Sequence, residues 1–281
     1  MNRGENMTER KKDIFYSQIA PFEMRAAYVE NSDLDKGRDT GSHVHPECEI
    51  YINLTGDVSF MVENRIYPIF TGSVVISRPY EYHHCIYHSN EPHKHFWILF
   101  KPNGNDRLFE KFFDRPLGEK NLLTVSSERQ KELFDLCFKL SGETLSELER
   151  YYLFFKLIYI LNDADSPEIL EDIYTKDMAF ALSFIDKCFC DSITISDIAQ
   201  SAHVSINTLE RHFWETLHMT PSSYLKKKRL ANAAEMLYNG HTVTEACQES
   251  GFADYSSFIA TFKKNYGMTP LKYKKHIENH K

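Results

Sequence analysis

The chain has 281 residues, 42% of them apolar and 26% charged, a balance that suits a soluble globular protein with room for two cores. Its formal charge of −7 is divided unevenly: residues 1–175 hold 20 Lys and Arg against 29 Asp and Glu, while residues 176–281 hold 13 against 11. The longest apolar run, YYLFFKLIYIL at 151–161, is broken by Lys156 and is far shorter than the ~20 residues a membrane helix requires. The start, MNRGENMTERKKD, lacks a secretory apolar stretch, and the six cysteines form no C-x-x-C pair. These features exclude a membrane span and a disulfide scaffold, and the expectation is a reduced, cytoplasmic protein without membrane contact.

In chain order, residues 1–13 read as a flexible polar arm, free to fold over a pocket or touch a second domain. From 14 to 102 the chain reads as strands. Runs such as CEIYINLTG, DVSFMVEN, SVVISRP and HFWILFKP are rich in β-branched and aromatic residues, with Gly56, Asn64, Gly72, Pro79 and Pro102 as punctuation. Short strands at regular spacing predict an all-β barrel. Residues 103–163 then predict a helical hairpin. Leu145, Leu148, Tyr152, Phe155 and Tyr159 repeat at 3 and 4, the seam of a packed helix, with Leu133, Leu136 and Leu140 marking a companion from Ser127 onward. The hairpin either packs on its own barrel or joins a second copy as a homodimer. Residues 164–176, polar and containing a proline, predict a linker.

Within the strands, His43, His45 and Glu49 are spaced to share one face, because side chains two apart on a strand point the same way. His83 or His84 is the candidate third imidazole, with one of the two expected to point inward. His95 and Trp97 share a face on a later strand, where an indole can stack on a sugar ring. Imidazoles and a carboxylate suit a transition metal, and equally a small polar ligand. Gly37, His43, His45, Glu49 and Gly56 resemble the first motif of the cupins. That resemblance implies a double-stranded β-helix barrel, and in metal-bearing cupins a metal on His43, His45, Glu49 and His84. The second motif departs from the pattern, with Glu81 in place of a glycine. No metal or other cofactor is expected, and His43, His45, Glu49, His83, His84, His95 and Trp97 are candidates for binding an effector.

Residues 177–281 contain a repeat. TISDIAQSAHVSINTLERHFWETLHMTPSSYL from Thr194 matches TVTEACQESGFADYSSFIATFKKNYGMTPLKY from Thr242, at an offset of 48 that becomes 49 after the internal turn. Each copy reads as helix, turn, helix, over about 194–217 and 242–266. Thr194 with Asp197, and Thr242 with Glu245, have the spacing of a capping box. Leu209, Phe213 and Leu217 form a core stripe, which leaves Asn207, Glu210, Arg211 and Trp214 on the outer face. Polar side chains on the first turns of a short helix are what a major-groove reader needs, and two copies can reach successive grooves ~34 Å apart.

These paired motifs, the linking stretch YLKKKRLANAAEML and the ending FKKNYGMTPLKYKK resemble the DNA-binding domain of AraC/XylS-type transcription regulators, over roughly residues 176–275. The resemblance implies base readers at Asn207, Glu210 and Arg211 in the first unit, with Ser205, Ile206 and Thr208 also among its DNA-binding residues. In the second it implies Tyr255, Ser256, Ser257 and Ile259. Arg229 matches a linking-helix arginine that braces the two units. Ala260 stands where the family commonly has an arginine, so the second unit is expected mainly to clamp phosphate, with Lys263 and Lys264 near the backbone.

The reading is a multidomain chain: an all-β cupin-like barrel, a helical hairpin and an all-α double helix-turn-helix domain. Its function is that of a DNA-binding transcription regulator, not an enzyme, controlled by a small-molecule effector of which a sugar is one example. The expected partners are double-stranded DNA half-sites, the effector, a second copy of the chain and RNA polymerase. The alternatives are a metal-dependent cupin enzyme with a helical appendage, and a constitutive DNA binder that uses the barrel only for dimerisation.

Overall fold

A computed structural model describes residues 14–19, 22–31, 45–89, 91–102, 106–142, 145–167 and 174–278. The front half is built of strands β1 (Ile14–Ile19), β2 (Phe22–Asn31), β3 (Cys48–Thr55), β4 (Val58–Val62), β5 (Arg65–Pro68), β6 (Val74–Ser77), β7 (His83–Tyr87) and β8 (His93–Phe100). A 3-10 turn (Asp106–Phe109) and the short helix α1 (Glu110–Phe113) lead to β9 (Leu122–Leu123). The strands form two antiparallel sheets, one ordered β1-β2-β8-β3-β6-β9 and the other β5-β4-β7. The barrel therefore does not end near residue 102. β9 returns to the large sheet beside β6, pairing Val74 with Leu123, inside a segment that the sequence reading gave to the helical hairpin.

The hairpin follows as α2 (Ser127–Leu140) and α3 (Glu147–Asn162). Ser146 caps α3 through a capping box with Glu149, which satisfies two of the helix's otherwise unpaired N–H groups. Alternation in β3 decides what the hairpin covers. Cys48, Ile50 and Ile52 face outward into a core shared with Leu133, Leu136 and Leu140 of α2 and Phe154 and Leu157 of α3. Tyr51, between them, faces the opposite way, into an inter-sheet core with Phe60, Val62 and Tyr67.

The seam expected from sequence is divided: Leu145 and Phe155 pack against the front-domain core, and its other three residues do not. α3 packs through Leu153, Phe154, Leu157, Ile158 and Leu161, while Leu148, Tyr152 and Tyr159 stand 78%, 64% and 67% exposed. Period alone does not say which of two apolar stripes on one helix is covered by its own domain.

The start of the expected linker belongs to the front domain. Asp165 bridges to Thr124, and Ser166 Oγ donates to the carbonyls of Lys120 and Leu122. The back half comprises α4 (Lys176–Cys188), α5 (Ile195–Ser201), α6 (Ile206–Leu217), α7 (Pro221–Tyr238), α8 (Val243–Glu249), α9 (Tyr255–Tyr266) and α10 (Pro270–Glu278). Both expected capping boxes are present, on Thr194 and Thr242. The turns within the two units need left-handed backbone, which His203 supplies in the first (φ +58) and Gly251 in the second (φ +78). At Gly251 a Cβ would sit 2.7 Å from the carbonyl oxygens of Phe189 and Cys190, so glycine is required there for space as well as for φ. Among the described residues no helix is long and apolar enough to cross a membrane.

The two halves share a core. Met61, Ile66, Tyr80, Tyr82 and Ile86 pack with Met178, Leu182, Leu209, Phe213 and Tyr224. The outer face of the small sheet is thus roofed by the helical domain. This explains why all of β4 is buried although its sequence, VSFMV, shows no alternation.

Candidate effector site and nucleic-acid interface

His45, Glu49 and His83 meet inside the barrel. Glu49 Oε2 lies 3.0 Å from His45 Nε2 and 2.8 Å from His83 Nε2. Each imidazole is oriented from behind: Nδ1 of His45 lies 3.1 Å from the Glu47 carbonyl, and Nδ1 of His83 lies 2.7 Å from the Glu81 carbonyl. A carbonyl can only accept, so Nδ1 of each ring donates to it and Nε2 is aimed at the carboxylate; because an ionised carboxylate also only accepts, the charged His83 ring donates from both nitrogens. Burial works against charge on both partners, yet the pair sustains it. Burial pushes the His83 pKa down, but the Glu49 carboxylate and the Glu81 carbonyl leave it raised. Burial raises the Glu49 pKa, but His83 and His45 hold it well below the usual carboxylate range.

His45 does not lie on the strand. It precedes a bend at residues 46–47, and reaches Glu49 from there. His43 and Gly37 lie outside the described residues. The sequence reading placed only one of His83 and His84 inward, and preferred His84 for a metal. The structure puts His83 beside Glu49, while His84 lies edge-on to Tyr82 (ring centroids 5.6 Å), on the side of β7 that carries Ile86 into the core shared with the helical domain. Neighbours on a strand point to opposite faces, so the sequence HH serves two sides of one sheet.

A second polar group lines the barrel. Tyr51 Oη and His93 Nε2 are 2.6 Å apart, and Asn53 Oδ1 is 3.2 Å from the same nitrogen. The rings of His93 and His95 stack at 4.6 Å, and those of Tyr51 and His95 at 4.9 Å. Burial lowers the His93 pKa to about 4, and burial with the nearby His93 lowers His95 to about 3, so both rings are neutral near pH 7. Asn53 Nδ2, His93 Nδ1 and His95 Nδ1 are buried and find no hydrogen-bond partner among the described residues. Trp97, opposite Tyr51 in the β3–β8 register, is only partly buried. Gly56 keeps this wall tight, since a Cβ there would lie 2.8 Å from the His93 ring.

Glu81 is not a pocket residue, which explains its departure from the cupin pattern. It is fully buried and holds Arg115 through two parallel bonds of 2.7 and 2.6 Å. It also accepts from the N–H groups of Gly118 and Arg78 and from Asn121 Nδ2.

On the helical domain, α6 begins at Ser205, whose hydroxyl accepts from Thr208 N at 3.2 Å. Leu209, Phe213 and Leu217 are buried, which turns Ile206, Asn207, Glu210, Arg211 and Trp214 outward. Arg211 Nη2 donates to His212 Nε2 (3.1 Å), and His212 Nδ1 donates to Asp177 Oδ2 on α4 (2.5 Å). On α9, Tyr255, Ser256, Ser257, Lys263 and Lys264 are exposed, and Ile259 packs partly into the core beneath. Arg229 donates to the carbonyls of Phe189 and Asp191 at 2.7 Å each. It therefore ties α7 to the end of α4, and the second unit meets that same turn through Gly251.

Two family models match the chain: AraC-like ligand binding domain over residues 33–151, and helix-turn-helix domain over residues 198–276. The chain thus carries the two domains that make up AraC-type proteins. Among curated relatives, the HTH-type transcriptional activator RhaS of Escherichia coli O1:K1 / APEC is 26% identical over 155 residues, 55% of this chain and 52% of the relative. RhaS of Escherichia coli strain SE11 is 26% identical over 126 residues, 44% of this chain and 45% of the relative. This AraC-type chain thus spans about half the length of the curated relatives it matches. Among solved structures, the C-terminal domain of the response regulator yesN from Fusobacterium nucleatum is 28% identical (TM-score 0.33), covering 34% of this chain and 93% of its own. ToxT from Vibrio cholerae O395 is 14% identical (TM-score 0.38), covering 90% of this chain and 98% of its own.

Sequence reasoning missed Tyr51, Asn53 and His93 in the barrel. The signal was available, because the period of two that groups His95 with Trp97 extends back to His93, and forward from Glu49 to Tyr51 and Asn53. His212 and Asp177, which anchor Arg211, left no comparable trace. They are 35 residues apart, and only the packing of α4 on α6 joins them.

Proposed function

We propose that this chain is a sequence-specific DNA-binding transcription regulator controlled by a small polar effector held in the barrel. The observation that carries the DNA half is the pair of capped helices, α6 and α9, each burying one stripe and presenting polar first turns outward. Arg211 reads a base edge, and Lys263 and Lys264 clamp phosphates. Selection from a random DNA pool, followed by anisotropy titration in a salt series, tests this. Affinity falls steeply as salt rises if phosphate contacts drive binding; no enriched sequence and a flat salt response would refute it.

The effector half is supported by Asn53 Nδ2, His93 Nδ1 and His95 Nδ1, which are buried, without a partner among the described residues, beside the stacked rings of Tyr51 and His95. Buried polar atoms of this kind suit a ligand that carries several hydroxyl or carbonyl groups. Thermal-shift screening against a panel of sugars and related polyols is the test, with Asn53→Ala abolishing any shift found.

A second reading has its own observation. One ligand atom each from His45, Glu49 and His83 lies within 4.8 Å of the others, and both imidazoles are oriented from behind as metal-binding histidines are. Two imidazoles and a carboxylate fit a divalent transition metal, which would offer open positions to a ligand's oxygens. Elemental analysis of wild type and His45→Ala decides between these. A stoichiometric metal together with substrate turnover would instead favour a cupin enzyme.

The exposed stripe Leu148, Tyr152 and Tyr159 on α3 supports a homodimer through the hairpin. Sedimentation of wild type against a Tyr152→Glu, Tyr159→Glu variant tests it, with a monomeric wild type as the refuting result.

A further inference from the structure

The peptide group joining Glu81 to Tyr82 makes two hydrogen bonds that face opposite ways. Its carbonyl oxygen accepts from His83 Nδ1 at 2.7 Å, the bond that aims His83 at Glu49 inside the barrel. Its N–H donates to Glu63 Oε1 at 2.8 Å, on the side of the helical domain. A trans peptide is planar, with C=O and N–H pointing in opposite directions. A tilt that follows the His83 ring on one side therefore displaces the N–H on the other.

Glu63 is built to receive that movement. It sits at the turn between β4 and β5 with left-handed backbone (φ +54), which a non-glycine residue keeps only where its surroundings hold it. Its N–H donates to the Tyr82 carbonyl at 2.8 Å. Its own carbonyl accepts from the Tyr224 hydroxyl at 3.1 Å, and its carboxylate pairs with Lys228. Tyr224 and Lys228 are one turn apart on α7, the helix that links the two helix-turn-helix units. Lys228 continues to Asp186 on α4 at 2.8 Å. Lys228 is 5% exposed and Glu63 9%, so the pair is shielded from water, and a change in one partner is not screened from the other. All four polar groups of Glu63 are engaged, two with β7's approach and two with α7.

We infer that the Glu81–Tyr82 peptide and Glu63 form a relay that carries the state of the His45–Glu49–His83 site to α7, and through it to both reading helices. The relay rests on the reading of the barrel as the effector site. It gives that reading a mechanical output, because one ligand can bias two domain arrangements only through contacts that differ between them. Occupation of the site by a ligand or a cation that draws Nε2 of His83 away from Glu49 rotates the ring, shifts the shared peptide and loosens Glu63 from Lys228.

The test needs no effector. Amide hydrogen exchange is measured on the full chain for His83→Gln, Lys228→Met, their double variant, and Val75→Ala as a barrel-loosening control away from the relay. The expected result is that His83→Gln speeds exchange across 221–238 by at least about threefold, the lower range of coupling between residues in one network. Val75→Ala leaves that segment unchanged, and His83→Gln adds nothing once Lys228 is Met. Glu63→Gln, which keeps the size of the side chain, replaces Lys228→Met if the latter does not fold. Equal effects of Val75→Ala and His83→Gln on 221–238, or effects that multiply in the double variant, overturn the relay. A ligand panel with no binder, alongside non-multiplying effects, sinks the effector reading and leaves the relay standing. A binder alongside multiplying effects does the reverse.

Discussion

Glu81→Gln removes one charge from a fully buried carboxylate and leaves its shape nearly unchanged. The glutamate accepts five hydrogen bonds, two from Arg115 and one each from Gly118 N, Arg78 N and Asn121 Nδ2, over 2.6–3.0 Å. A carboxamide keeps one acceptor oxygen and turns an NH2 toward donors that cannot accept. Arg115 is 7% exposed and would keep its charge without a counterion. Breaking a buried pair from one side costs about 3–5 kcal/mol, against 0–1 for a surface pair. The expected loss for Glu81→Gln is therefore about 3 kcal/mol, and more for Glu81→Ala. The Glu81→Leu, Arg115→Met double variant is expected to lose much less than the sum of its parts. The chain has two tryptophans, Trp97 in the barrel and Trp214 on α6, so urea unfolding of a Trp214→Phe background reports the barrel alone. Burial raises the Glu81 pKa, but Arg115 and the donated N–H groups hold it below 4.5. A depressed carboxylate contributes stability that is full above its unfolded value and lost as pH falls through its folded value. The gap between wild type and Glu81→Gln is thus constant above pH 4.5 and narrows below it. A loss under about 1 kcal/mol, or a gap that widens in acid, would refute the assignment of Glu81 as an internal anchor.

Arg211→Ala is expected to cost about 1–3 kcal/mol on the selected DNA and little on scrambled DNA, whereas Lys264→Ala weakens both equally and lowers the salt slope by about 1; anisotropy titrations separate the two. Gly251→Ala meets both a φ of +78 and two carbonyls at 2.7 Å, so a loss of about 2 kcal/mol or more is expected in thermal unfolding of the helical domain. His83 titrates with the opposite sign to Glu81. Its pKa is raised above 6.5, so its contribution is full below pH 6.5 and fades as pH climbs through the folded value; barrel stability should decline there in wild type and stay flat in His83→Leu. Thr194→Ala removes the cap of α5 and should cost about 1 kcal/mol.

The helical domain was nearly complete in the sequence because its signals are local. Capping boxes, an i, i+4 stripe and a left-handed turn residue all lie within a dozen positions of one another. The barrel was legible in kind but not in extent. β9 is two residues long, and only its partner β6 identifies it. At Glu81, a departure from the cupin motif marks an anchor whose partner lies 34 residues away, which no local pattern shows. His83 and His84 could not be ranked from sequence because both faces of β7 are buried, one by the barrel interior and one by the helical domain. The same roofing erased the alternation of β4. Glu63 and Lys228 look like ordinary surface charges until the two halves are docked.

The repeat offset changes from 48 to 49 inside the turn, where Val204–Ser205 stands against Phe252–Ala253–Asp254. Each reading helix still starts on its own cap, Ser205 or Asp254, so the extra residue leaves both helices in phase. Their outward faces have nonetheless diverged, with Arg211 exposed on one where Ala260 is exposed on the other. On the proposed DNA-reading role, a site read by two unlike faces on one chain has no internal mirror. It has a heading, and turning it end for end would point the barrel the other way along the chromosome.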